Sequence, residues 1–111
     1  MGLGAAYPEL DWKETSWSGV RLAFLSGDRE RGDANVLIEM GPGVGYPPHE
    51  HLGPEEVFVV AGSYRDKAGE YPTGSFQRHE AGTRHHPIAG KEGALLLARI
   101  EGGIKVLAEP R

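Results

Sequence analysis

The apolar residues of this chain come in short runs set apart by glycine and proline, and nowhere do they repeat with the period of an amphipathic helix. The runs are rich in Val, Ile, Leu and Phe, which fit a pleated sheet, so the chain reads as all-β. Candidate strands are 20–25, 35–40, 56–60, 63–66, 76–79, 94–100 and 104–107. Between them stand turn formers: Ser26-Gly27-Asp28, Gly41-Pro42-Gly43, Ala68-Gly69, Pro72-Thr73-Gly74, Ala81-Gly82 and Glu101-Gly102-Gly103. Each supplies a positive φ or a fixed proline φ. Strands at this spacing predict a sandwich or a barrel. The 17 Gly and 8 Pro are scattered rather than gathered in one block, as many tight turns require, and 111 residues suffice for one core rather than two.

A net charge of −4 and the lack of any Lys/Arg cluster argue against nucleic acid or an anionic membrane as a direct partner, because both need concentrated positive surface. With no cysteine there is no disulfide framework and no thiolate chemistry, so a bound metal must be held by imidazole and carboxylate. The simplest compartment is the cytoplasm. Residues 1–10 carry no export signal, and the longest apolar run, 94–98, is far below membrane-spanning length. Residues 1–14 read as an arm on a domain of residues 15–111. Tyr7, Trp12 and Trp17 give that region apolar area with which to seek a partner, so a homodimer through the arm and an edge strand is expected. The alternative is that the two Trp cover the barrel's own end. Arg31-Gly32-Asp33 reads as a hydrophilic hairpin tip.

All five histidines fall between positions 49 and 86. Side chains alternate along a strand, so His49 and His51 share one face and Glu50 takes the other. Gly53-Pro54 then forces a turn, and the returning strand, starting at Glu55 or Glu56, brings a carboxylate back beside the pair. Downstream, Gly82-Thr83-Arg84-His85-His86-Pro87 places two further histidines after a turn. Chance alone yields a His-x-His in such a chain about 0.2 times, so that element is weak by itself.

The full spacing is more specific. Gly43, five residues, His49, one, His51, three, Glu55, six, Gly62 reproduces the first motif of the cupin family, and Gly74, five residues, Glu80, then Gly82, two residues, His85 resembles the second. Glu80 and Ala89 depart from the usual Pro and Asn at framework positions. The chain further resembles the ChrR-like cupins through Trp17, Gly19-Val20, the doubled Glu55-Glu56, Tyr64-Arg65-Asp66, Gly69-Glu70-Tyr71-Pro72 and Gly74-Ser75, over roughly residues 15–107. The resemblance implies a single-domain cupin, a double-stranded β-helix or jelly-roll-like antiparallel barrel. It implies one divalent metal held by His49, His51, Glu55 and His85, in preference to Glu56 and His86. Tyr46, Phe76, His79 and His86 are then pocket wall or supporting groups.

Three imidazoles and a carboxylate suit Zn, Fe(II), Mn and Ni alike, and similarity to the zinc anti-sigma factor favours Zn, with Fe(II) next. Two functions follow from the resemblance. One is a metalloenzyme with dioxygenase-like chemistry on a small oxygenated substrate. The other is a non-catalytic metal or ligand sensor like the cupin half of a ChrR-type anti-sigma factor, without a separate sigma-binding domain. A third is a dimer whose metal merely staples the barrel.

Overall fold

The computed structural model describes residues 9–107, which contain ten strands and no α-helix. They are β1 (Lys13–Glu14), β2 (Val20–Ser26), β3 (Ala34–Met40), β4 (His49–His51), β5 (Glu55–Asp66), β6 (Gly69–Pro72), β7 (Phe76–His79), β8 (Arg84–His85), β9 (Ile88–Ile100) and β10 (Ile104–Val106). All pairings are antiparallel. One sheet has the order β1-β2-β3-β9-β5-β6, with β7 also on β5, and the other is β10-β4-β8. The expected all-β fold of antiparallel sheets is therefore present.

Alternation along the central strands builds the core. On β3, Val36, Ile38 and Met40 are buried, and β5 and β9 add Val57, Val59, Tyr64, Leu96 and Ala98. Expected strands 56–60 and 63–66 are one strand, because Gly62 bends the chain without ending it. Its φ is +71°, and a Cβ there would collide with the Gly93 carbonyl, so the register shift beside it demands glycine. Expected strand 94–100 starts earlier, at Ile88, and the short strands β1, β4, β6 and β8 add to the expected set.

Trp17 packs against the core, and the Trp12 ring lies 4.9 Å from the Arg21 guanidinium, so both rings are engaged within the chain. Tyr7 lies outside the described residues. Arg31-Gly32-Asp33 falls in the loop between β2 and β3, as expected of a hairpin tip. Among the described residues no helix is long and apolar enough to cross a membrane.

Candidate metal centre

The first two histidines sit on β4, a three-residue strand held on both sides: by β10, with Val106 opposite His49, and by β8, with His85 opposite His49. Alternation turns His49 and His51 inward, where they are 2% and 1% exposed, and sends Glu50 outward to pair with Arg84 at 2.9 Å. The turn through Gly53-Pro54 starts β5 at Glu55, whose carboxylate is buried, while Glu56 faces out and pairs with Arg78 at 3.2 Å. One ligand atom from each of His49, His51, Glu55 and His85 lies within 4.8 Å of every other.

Hydrogen bonds fix the state of each ring. His49 Nδ1 is 2.8 Å from the Pro47 carbonyl, and His51 Nδ1 is 3.1 Å from the Thr83 carbonyl. A carbonyl only accepts, so both nitrogens carry a proton. The Thr83 hydroxyl donates to the Glu80 carbonyl at 2.7 Å, leaving its oxygen to accept from His51 as well. His85 Nδ1 donates to Asp66 Oδ2 at 3.0 Å. Held this way, each ring in its neutral form turns a bare Nε2 lone pair inward. His49 Nε2 then faces His85 Nε2 at 3.0 Å, and His51 Nε2 faces Glu55 Oε1 at 3.0 Å. Each contact joins two acceptors and is repulsive until a proton or a cation lies between them. Burial opposes the proton, holding His49 below its ordinary range and His85 down to about 4. The arrangement fits a divalent cation instead, since donors about 2.1 Å from one ion and at right angles stand about 3.0 Å apart.

Asp66 is the partner that sequence reading missed. Its side chain is 3% exposed and also accepts from the Ala68 N–H at 2.9 Å and the Tyr71 hydroxyl at 3.3 Å. Burial pushes its carboxyl up, but the hydrogen bonds from His85 and Ala68 outweigh that and hold it below the usual range. Asp66 lies nineteen positions before His85 on a strand not paired with β8, so only the need of His85 Nδ1 for an acceptor could have pointed to it.

His79 stands opposite Glu55 in the β5–β7 register and stacks on His51, with centroids 4.6 Å apart and planes at 13°. It is buried, and its Nε2 has no hydrogen-bond partner. Burial, then the neighbouring His51, lowers its pKa. With Asp66 and His85 it forms a second group of converging donors, which shares His85 with the first. Tyr46 meets the edge of His49 at 5.3 Å and lines a small internal void of about 20 Å³ with Met40, Val57, Tyr64 and Leu96. Burial, then Glu55, pushes its phenol up to about 12. His86 lies at the rim, in a cleft of about 490 Å³ whose lining also includes His85, His79 and Asp66. Phe76 is not in the pocket wall. It is 61% exposed on the outer face, because three positions along a strand separate it from inward-facing His79.

Several solved structures share the fold. The chain is similar to the anti-sigma factor ChrR of Rhodobacter sphaeroides, seen in complex with SigE, at 24% identity and a TM-score of 0.78. The match covers 86% of this chain and 52% of that one, so the chain spans about half of ChrR's length. An RmlC-like cupin from Ralstonia eutropha JMP134 matches at 23% identity and a TM-score of 0.82, covering 98% and 74% of the two chains. An acetylacetone dioxygenase from Acinetobacter johnsonii matches at 14% identity and 0.81, covering 98% and 78%. At such identities these likenesses show the fold alone. No curated protein sequence matches significantly. The family model of the ChrR cupin-like domain matches residues 3–102. That span is most of the chain and contains all four converging donors, so the chain belongs to the ChrR-like cupin family.

Proposed function

We propose that this protein holds one divalent metal ion with His49, His51, Glu55 and His85, and works as a small metalloenzyme on an oxygenated organic substrate. The observation that carries the metal is the pair of acceptor-to-acceptor contacts at 3.0 Å, His49 to His85 and His51 to Glu55, whose inner nitrogens are left bare by the outer hydrogen bonds. An ion bound there supplies a Lewis acid and, as Fe(II), a centre for dioxygen chemistry. Pro47, Thr83 and Asp66 hold the rings in position. Met40, Val57 and Leu96 keep bulk water from the inner side, and the Tyr46 hydroxyl stays protonated at neutral pH, able to donate a hydrogen bond. Fold likeness to an acetylacetone dioxygenase supports the oxygenase reading.

One observation favours a second reading, a metal or ligand sensor without turnover. The inner void beside the donors is about 20 Å³, room for one water-sized group, and the larger cleft of about 490 Å³ reaches only His85 of the four, so a diketone does not meet all the donors without movement of the walls. Fold likeness to ChrR supports this reading. Elemental analysis of protein purified without added metal, followed by oxygen uptake with acetylacetone, separates the two. Stoichiometric iron with uptake establishes the enzyme; firmly held zinc without uptake overturns it in favour of the sensor. The reading extends to a cytoplasmic homodimer, supported by the absence of cysteine and by an exposed apolar sheet face.

A further inference from the structure

Large apolar side chains are exposed together on the outer face of the seven-stranded sheet. Four form a row in register: Leu37 on β3 opposite Leu97 on β9, Leu97 opposite Phe58 on β5, and Phe58 opposite Phe76 on β7. Phe76 is 61% exposed, Phe58 44% and Leu97 39%. Beside it runs a polar row in the same register: Asn35, Arg99, Glu56 and Arg78. Isolated exposed hydrophobics are ordinary, whereas a contiguous set across four strands marks an interaction surface.

We propose that this face, rather than the arm and edge strand expected from the sequence, is the interface of the homodimer, with the two-fold axis running along the strands between β9 and β5. The inference rests on the homodimer reading above and is independent of the metal. Such an axis lays β9 over the partner's β5 and β3 over the partner's β7, an aligned sheet-on-sheet packing. Leu97 then meets the partner's Phe58, and Leu37 meets the partner's Phe76, so a smaller side chain faces a larger one throughout. In the polar row, Arg99 meets the partner's Glu56, twice by symmetry, and Asn35 meets the partner's Arg78. Arg99 makes no ion pair among the described residues, so the dimer gives it one. An axis across the strands would instead stack Phe76 on the partner's Phe76 and set Arg99 against apolar Leu95. The area also fits. Leu25, Phe58, Val60, Phe76 and Leu97, at 39% to 61% exposed, offer roughly 400 Å² of apolar surface. A standard interface covers about 800 Å² per partner, of which about 65% is apolar in homodimers. The partly buried Leu37 and Leu95 and the polar row add to that area.

Sedimentation equilibrium on the full chain, from about 1 to 100 μM, tests this across affinities typical of such interfaces. The wild type should sediment as a dimer. Phe58→Glu and Arg99→Glu should each weaken association roughly 100-fold or more. The double variant Arg99→Glu/Glu56→Arg should regain at least roughly tenfold over either single change, because it restores opposite charges across the axis. Phe76→Glu, at a more exposed position, replaces Phe58→Glu if circular dichroism shows that variant unfolded. A wild-type monomer throughout the range overturns the proposal, as does a dimer that Phe58→Glu and Arg99→Glu leave intact. Failure of the double variant to regain affinity overturns the axis. Metal content of the same samples keeps the two readings apart: a metal-loaded monomer rejects only the interface, and a metal-free dimer rejects only the metal.

Discussion

His85 is the residue through which most of the site's chemistry runs. One ring nitrogen faces His49 and the other is held by Asp66, so the carboxylate fixes which nitrogen is free and raises its basicity. Asp66→Asn keeps the size but loses the charge. Metal affinity should fall roughly 10- to 100-fold, measured by competition with a chromophoric chelator, while the circular dichroism spectrum is unchanged. The same burial gives the metal-free protein a defined acid response. In the unfolded chain His85 takes up a proton near the ordinary histidine value of 6.5, but in the folded protein only near 4. Between those values the unfolded state binds more protons, so stability is complete above about 6.5 and falls by on the order of 3 kcal/mol as pH drops to 4. Urea melts of metal-free protein at several pH values check this, and a stability that is flat from pH 7 to 4 contradicts it. At this scale the sequence was legible wherever strand alternation applied. Alternation puts Glu55 and Glu56 on opposite faces, and the motif spacing chose Glu55 as the inward one; Phe76 was expected in the pocket wall, although its odd separation from inward-facing His79 puts it on the other face. Asp66 was hidden because no local pattern connects it to His85.

Gly62 has the clearest role among the elements. It lets β5 run twelve residues from Glu55 to Asp66, pairing first with β7 and then with β6. A turn there would end the strand; a bulge only bends it, which is why two expected strands are one. Gly62→Ala needs a left-handed backbone and drives a methyl into the Gly93 carbonyl. It should cost about 2–4 kcal/mol in a denaturant melt. Gly74, also at positive φ but with nothing within 4 Å of a Cβ, should cost about 1 kcal/mol on the same change. Equal losses at the two positions would show that the close approach to Gly93 carries no cost of its own. β2 and β3 were legible from apolar runs that no glycine interrupts, whereas the longer β5 and β9 were cut short where glycines break the run. β8 has two residues and β4 three, and their pairing comes from the barrel's closure, which a local reading does not reach.

In the whole molecule the four donors come from both sheets: β4 and β8 belong to the small sheet and β5 to the large one. An ion bound by all of them ties the sheets together, so metal and stability are linked. At a free metal concentration about 100 times its Kd the gain is about 2.7 kcal/mol, or roughly 10 °C in Tm for a chain of this size. Chelator should reverse it, and a melting temperature indifferent to metal would contradict a centre that spans the sheets. The most direct test of the four-donor centre is the metal content of four variants against the wild type, each purified without added metal and dialysed before mass-spectrometric analysis. The wild type, Glu56→Gln and His86→Ala should each retain one divalent ion per chain, while Glu55→Gln and His85→Ala should lose most of it. Loss in Glu56→Gln and His86→Ala with retention in the other two, or a wild type that holds no metal, would contradict it.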